Sequence, residues 1–250
     1  MNRQLLVDIG NSRLKWCVLR GATLGRQHAM NLPERGLPVL AALLKSAAGV
    51  TSVFVSSVAG NARDKALTRQ LRAAGLPAPR FVTSEPQAAG VTNGYREPWR
   101  LGVDRWVAAI GAWHDAGRRA VCVVDIGTAT TVDVVDTKGR HRGGLIVPGP
   151  ALMTRSLLVG TRGIAPRAQG AQRASRGGLG RDTACALQLG ARLATAALVA
   201  RAAQDARHEH GRDCAVYLTG GGAQAVRPLL DVEVRHCPNL VLRGLAVLAG

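Results

Sequence analysis

The sequence predicts an α/β chain made of two similar halves, each a mixed sheet flanked by helices. Three observations carry this. Short runs of β-branched and apolar residues alternate with segments of helical period. One pattern occurs twice, at Leu5–Trp16 and again at Ala120–Asp136: an apolar strand, Asp-Ile-Gly, a short polar turn, and a second strand. The first half also runs β–β–α–β–α, an order that builds a mixed sheet covered by helices. A repeated hairpin implies two domains, placed at residues 1–117 and 118–250 and facing each other.

The elements follow in order. Gln4–Ile9 and Leu14–Leu19 read as the first hairpin. Leu37–Ala48 reads as a helix with Leu40, Leu43 and Leu44 on one face. Val53–Val58 is a strand, and Asn61 is placed as the cap of a helix reaching about Ala74, stopped by Gly75 and Pro77. Thr83–Arg100 is polar and loop-like, with a turn at Asn93-Gly94. Gly102–Arg105 opens a helix through His114. In the second half, strands at Ala120–Asp125 and Thr130–Val135 lead through Lys138-Gly139 to a third strand ending at Ile146. The pair Gly143-Gly144 is read as making room for a close neighbour, and Pro148 as starting a helix over Ala151–Val159. Gly160–Arg181 has no period and reads as a mobile loop, a candidate to order over substrate. The longest helix covers about Thr183–Ala206, Cys214–Thr219 is a buried strand, and Leu240–Ala249 closes the chain.

Bulk properties narrow the function. Of the 250 residues 47% are hydrophobic but only 3% aromatic, so the cores are built of Ala, Val and Leu. The formal net charge of +17 comes almost wholly from arginine. Those arginines are scattered singly through both halves. Lone charges are mostly solvated surface, so specific nucleic-acid binding is not expected. Five cysteines form no C-x-x-C pair, which fits reduced, buried thiols better than disulfides or zinc. Gln188, Arg192 and Arg201 interrupt the most apolar long segment and argue against a membrane span. The expectation is a cytoplasmic protein with no membrane segment.

The chemistry concentrates in the turns. A carboxylate at a strand end, a glycine that admits close backbone approach, and hydroxyls at Thr128, Thr130 and Thr131 can hold a phosphate and its cation. An ordinary hairpin with a capped turn is the plainer alternative for either copy alone. Gly220-Gly221-Gly222, between a strand and a helix, let a flat ring or a phosphate lie against the backbone. Asp104 and Arg105 fall in the first turn of a helix, where N–H groups are free and anions are favoured. Taken alone they also suit a cap and a solvent-directed arginine. His208 and His210 lie two apart, do not share a helix face, and read as solvated.

In order, the motifs are D-I-G-N-S-x-x-K at Asp8–Lys15, G-V-D-R at Gly102–Arg105, D-I-G-T-A-T-T at Asp125–Thr131, G-G-x-I-x-P-G at Gly143–Gly149, G-R-D-T at Gly180–Thr183 and T-G-G-G at Thr219–Gly222. This set resembles the type III pantothenate kinase family, of the actin-like ATPase superfamily that includes acetate and sugar kinases. The match spans nearly the whole chain. Val103 stands where many members have Ala or Ile, and Asp182 where many have Asn; neither removes a group the chemistry needs.

The resemblance implies two ribonuclease H-like domains with the nucleotide in the interdomain cleft, and transfer of the γ-phosphoryl of ATP to pantothenate, the first committed step towards coenzyme A. It assigns Asp8, Ile9, Gly10, Asn11, Ser12, Arg13, Leu14 and Lys15 to the ATP phosphates, with Asp8 near Mg²⁺. Thr128, Gly220, Gly221 and Gly222 are further ATP contacts. Asp104 is implied as the proton acceptor, and Tyr95, Gly102, Val103, Asp104, Arg105 and Thr183 as the pantothenate site. Asp125 belongs to the site of a monovalent cation, K⁺ or NH₄⁺, and members are usually homodimers. Two other readings stay open: another small-molecule kinase of the superfamily, and a transcriptional accessory factor, a label some relatives carry.

Overall fold

The computed structural model describes residues 3–169 and 178–250. It divides into two compact units, each assembled from separate stretches of chain. One comprises Met1–Val121, Val135–Gly143 and Asn239–Gly250, the other Cys122–Val134 and Gly144–Pro238. The C-terminal segment Asn239–Gly250 belongs to the first unit.

In the first unit the chain runs β1 (Arg3–Ile9), β2 (Arg13–Arg20), β3 (Thr23–Leu24), β4 (His28–Asn31), α1 (Ala41–Ser46), β5 (Ser52–Ser57), α2 (Asn61–Ala73), β6 (Pro79–Phe81), β7 (Gln87–Ala88), β8 (Val91–Thr92), a 3₁₀ turn at Pro98–Arg100 and α3 (Val103–Asp115). The sheet order is β3-β2-β1-β5-β6, with β4 also on β2. β1 pairs antiparallel with β2 and parallel with β5, so the sheet is mixed.

Alternation along β1 sets its two faces. Leu5, Val7 and Ile9 join Leu14, Trp16, Val53 and Val55 against Leu40, Leu43, Leu67 and Leu71, the apolar stripes of the α1 and α2 region. The even-numbered face turns towards α3 and the closing helix α8 (Leu240–Ala249), and Gln4 donates a hydrogen bond from Nε2 to the Ala249 carbonyl at 3.2 Å. α3 and α8 approach through glycines. A Cβ on Gly111 would stand 2.7 Å from the Gly244 nitrogen, and one on Gly244 would run into the Val107 carbonyl.

The second unit carries most of β9 (Val121–Ile126), β10 (Ala129–Val135) and β11 (His141–Pro148), with α4 (Pro150–Gly160), α5 (Ile164–Arg167), α6 (Thr183–His210), β12 (Ala215–Thr219), α7 (Ala223–Val226) and β13 (Arg235–His236). Its sheet order is β11-β10-β9-β12-β13. Counted within its sheet, the second runs third, second, first, fourth, fifth strand, and the first follows the same order once β4, its extra strand on β2, is set aside. The duplication expected from the two hairpins extends to the topology. α6 is long and apolar enough to cross a membrane by length and composition. Its Ala191, Thr195, Val199, Ala202 and Ala206 are buried at helical spacing, so one face of the helix packs on a core.

Several local expectations change. Gly60, at φ +87°, is the N-cap of α2, and Asn61 is its first helical residue. The helix expected over Leu37–Ala48 shortens to Ala41–Ser46, because Pro38 and the loop before it are tied down by side chains of α2: Gln70 bonds the Leu40 N–H and the Pro38 carbonyl. Residues 83–100 contain the β7–β8 hairpin and the 3₁₀ turn. Pro148 ends β11; the helix starts at Pro150 after its N-cap Gly149. Gly143 adopts φ +109° with open space where a Cβ would project, so it serves backbone conformation and not close packing. Within Gly160–Arg181, expected as one loop, lies α5; residues 170–177 of that stretch fall outside the described residues.

Cys17, Cys122, Cys214 and Cys237 are buried free thiols, and Cys185 is half-buried. Burial pushes the Cys17 thiol up to about 11. Burial pushes Cys122 up to about 12, helped by nearby Cys214 and Asp133 and opposed by Arg207.

Two predictions follow from the packing. Gly244→Ala should destabilise the protein by about 1–3 kcal/mol or more, read as a lowered urea midpoint, because Val107 backbone cannot yield as a flexible side chain would. The raised thiols contribute stability that is complete below pH 9.0, their ordinary value, and is lost as pH rises towards about 11 for Cys17 and about 12 for Cys122. Urea midpoints of the wild type should therefore fall more steeply above pH 9 than those of a Cys17→Ala/Cys122→Ala variant; equal slopes would remove the assignment.

Candidate active site

The first hairpin turn is Gly10-Asn11-Ser12, closed by a hydrogen bond from the Gly10 N–H to the Arg13 carbonyl at 2.9 Å. Asn11, Ser12 and Arg13 are exposed, whereas Ile9 and Leu14 lie fully in the core. Ile9 and Leu14 can therefore offer a ligand only backbone. Asp8 is 7% exposed and stands in register with Lys15 on β2 and Ser56 on β5. The three side chains form one polar row on the face opposite the Leu5–Val7–Ile9 core. Ser56 is fully buried, and its Oγ has no hydrogen-bond partner among the described residues. A buried hydroxyl left unmatched costs free energy.

A second cluster in the same unit surrounds the start of α3. Asn93, almost buried, donates from Nδ2 to the Glu85 and Pro98 carbonyls and accepts the Tyr95 N–H at 3.0 Å, which fixes the Tyr95 backbone. Arg105, 7% exposed, donates from Nη1 to the Tyr95 hydroxyl at 2.9 Å, its guanidinium 5.8 Å from the ring centre. The His141 ring lies 5.9 Å from Tyr95 on another side. Arg105 is thus a buried, aimed cation and not a solvent-directed one. Asp104 is half-buried in the first turn of α3 and accepts the Arg105 N–H at 2.8 Å. A Cβ at Gly102 would stand 2.8 Å from Asp104 Oδ1, so the glycine leaves room for that carboxylate.

In the second unit three motifs meet at the turn after β9. The Gly127 N–H bonds the Ala129 carbonyl at 2.9 Å. Gly149 donates to the Thr128 carbonyl at 2.9 Å, and Gly222 to the Ile126 carbonyl at 2.8 Å. Gly220, at φ +92°, leaves out a Cβ that would collide with Asp125 Oδ1 and the Ile126 carbonyl. Asp125 is half-buried, and Thr128 and Gly221 face solvent beside it. The Asp-Ile-Gly-Thr, Pro-Gly and Thr-Gly-Gly-Gly motifs thus make one structure.

Thr183 belongs elsewhere in this unit. Gly180 packs on the first turn of α6, and Asp182 is the N-cap, its carboxylate accepting the Cys185 N–H at 2.8 Å. Those N–H donors hold the Asp182 carboxyl below the usual carboxylate range. Thr183 stands in the wall of an open, mostly apolar cavity of about 620 Å³ between α4, α5 and α6, with Met153, Leu157, Ile164 and Leu187.

A family model described as type III pantothenate kinase matches residues 4–205. The chain belongs to that family. Two relatives called type III pantothenate kinase are 36% identical in Nitrosococcus oceani, covering 98% of this chain and 93% of that protein, and 40% identical in Thiobacillus denitrificans, covering 97% and 94%. Among solved structures, a Baf family protein of Campylobacter jejuni superposes at TM-score 0.59 with 22% identity, covering 96% of this chain and 94% of that one. Component A of Acidaminococcus fermentans (R)-2-hydroxyglutaryl-CoA dehydratase does so at 0.51 with 14% identity, covering 100% and 96%. These two likenesses speak to the fold, which is that of the actin-like ATPases.

Within this type III pantothenate kinase fold, sequence reading missed Ser56, Arg63, Asn93 and His141. Ser56 looks like the end of an ordinary strand. Arg63 looks like one of many surface arginines, although it is 7% exposed. Asn93 was read only as a turn residue, and His141 is brought to Tyr95 from another part of the chain. None carries a motif, and only the fold places them.

Proposed function

We propose that the chain is an ATP-dependent pantothenate kinase, converting pantothenate to 4′-phosphopantothenate at the entry to coenzyme A synthesis. The observation that carries this is the near-full-length identity to proteins called type III pantothenate kinase, with all six motifs in place. In this reading residues 1–117 and 118–250 are the two ribonuclease H-like repeats. The Asp8–Lys15 turn and Thr128 with Gly220–Gly222 bind ATP; Tyr95, Gly102, Val103, Arg105 and Thr183 bind pantothenate.

Asp104 accepts the proton of the pantothenate primary hydroxyl. That oxygen forms its bond to the γ-phosphorus as the bond to the β–γ bridging oxygen breaks, and ADP departs. Such transfer needs positioning and cancellation of charge more than covalent help. Lys15 and turn N–H groups supply the cancellation on the ATP side. Arg105 suits the pantothenate carboxylate, since a guanidinium binds carboxylates through a planar fork. Its bond to Tyr95 fixes that fork beforehand.

Mg²⁺ fits the Asp8 row. The donors are a carboxylate and the unmatched Ser56 hydroxyl, both oxygens. Among the described residues no cluster of three acidic, His or Cys side chains forms a metal cage. Mg²⁺ held by one or two carboxylates and substrate phosphates needs none. Asp125 Oδ1 and the Ile126 carbonyl converge where Gly220 lacks a side chain, an oxygen pair suited to K⁺ or NH₄⁺. When bound, these cations neutralise developing charge on the phosphates. We further propose a cytoplasmic homodimer. Its free buried thiols suit a reducing compartment, and exposed Leu152, Leu157 and Leu193 on α4 and α6 offer apolar surface to a second copy.

The test is ADP release with and without pantothenate, in potassium buffer with magnesium. Release that depends on pantothenate is expected; activity with a sugar and none with pantothenate would select the other kinase reading. Asp104→Asn should lower kcat by about 10²–10⁴-fold while ATP affinity stays within a few-fold; full activity would remove the proton-acceptor role. Replacing K⁺ by Na⁺ should depress turnover sharply, and indifference to that exchange would argue against a cation at Asp125.

A further inference from the structure

Arg63 occupies the third position of α2 and is 7% exposed. Its guanidinium makes four hydrogen bonds, from Nε to the Gly36 carbonyl at 3.0 Å, from Nη1 to the Asn11 carbonyl at 2.9 Å, and from Nη2 to the Pro33 carbonyl at 2.5 Å and the Glu34 carbonyl at 3.1 Å. Every acceptor is a backbone carbonyl. Among the described residues no carboxylate contacts this cation. Burying a guanidinium without a counter-charge is costly, and carbonyl dipoles offset only part of the cost.

One of those carbonyls belongs to the hairpin turn. The peptide between Asn11 and Ser12 is planar and trans, so its C=O and N–H point in opposite directions. Holding the Asn11 oxygen on Arg63 therefore also fixes the direction of the Ser12 N–H, in a turn whose Asn11 and Ser12 are exposed. The next carbonyl is fixed as well, since Ser12 accepts the Leu32 N–H at 2.9 Å. Two consecutive carbonyls of the turn are thus tied to the 32–36 loop and α2, directly or through Arg63.

We propose that Arg63 is a positioning residue for ATP: it presets the turn that receives the phosphates and places an uncompensated positive charge beneath it. This rests on the reading that the Asp8–Lys15 turn binds ATP phosphates. The role requires an arginine. A lysine keeps the charge but cannot reach four carbonyls from one rigid fork.

The experiment compares wild type with Arg63→Lys, Arg63→Met and Lys15→Met, measuring direct binding of a fluorescent ATP analogue without pantothenate, both KM values, and the thermal midpoint. Arg63→Lys should weaken ATP binding and raise the ATP KM about tenfold, the loss of one or two hydrogen bonds to a charged group, while the pantothenate KM stays within twofold. Arg63→Met should weaken ATP further, as the charge is lost too. Unchanged ATP affinity in a folded Arg63→Lys protein overturns the proposal. So does an equal loss for both substrates that tracks a fallen thermal midpoint, which marks a merely structural residue. If Arg63→Met does not fold, Arg63→Lys decides. Lys15→Met separates the two levels: if it leaves ATP binding intact, the reading of the turn itself fails, whereas weakened binding there with none in Arg63→Lys rejects the role of Arg63 alone.

Discussion

Where the second unit gathers its motifs, backbone touches backbone, and no side chain fits between. Gly149 bonds the Thr128 carbonyl, Gly222 bonds the Ile126 carbonyl, and Gly220 lies against Asp125 itself. Each contact closes the distance that a Cβ would otherwise hold open. Close approach brings N–H groups, a carboxylate and a hydroxyl to one turn while the sheet below stays rigid. The positive φ of Gly220 adds a second reason for glycine, because an L side chain is strained there whatever the space. Everything assigned to that turn, from cation to nucleotide, depends on this packing of three separate stretches.

The first unit reaches a similar turn by other means. Its sheet has the same strand order, and Asp8 holds the place that Asp125 holds in the second. Yet three residues, Gly10 to Ser12, separate β1 from β2, whereas two, Gly127 and Thr128, separate β9 from β10. The longer turn is steadied by Arg63 and the 32–36 loop instead of by neighbouring glycines. A duplicated topology therefore carries two different local solutions. Charge follows the same division, with Lys15 and Arg63 at the first turn and the Asp125 carboxylate among glycines at the second.

This division explains what could be read from the chain alone. Strands β1, β2, β9 and β10 were legible because β-branched and apolar residues alternate on either side of Asp-Ile-Gly. The glycines of the second turn were legible as motifs, and the family resemblance gave them roles that no spacing could give. The details that shifted are those governed by tertiary contact: Gly60 outcompeted Asn61 as the cap, and Gln70 and Pro38 shortened α1. The residues missed were single polar groups supplied by a neighbouring strand or helix. Ser56 matters because of what stands beside it in register, which a one-dimensional reading does not contain. Arg63 and Arg105 were counted among scattered surface charges or weighed as solvent-directed, yet both are buried. A large net charge conceals the few arginines that work inside.

The two tyrosines of the chain show why contact chemistry alone does not mark a site. Each has an arginine over its ring, Arg105 at 5.8 Å from Tyr95 and Arg235 at 6.0 Å from Tyr217. In each pair an arginine Nη1 also donates to the phenol, at 2.9 Å and 3.5 Å. Tyr217, however, is 1% exposed and lies in the middle of β12, with Arg235 opposite it on β13, so the pair fastens two parallel strands. Tyr95 is only partly buried at the mouth of α3, next to an acidic residue for which Gly102 leaves room. There the arginine is the buried partner and the ring is the accessible one. That inversion leaves an accessible ring beside Asp104, and the proposed pantothenate site is built on it.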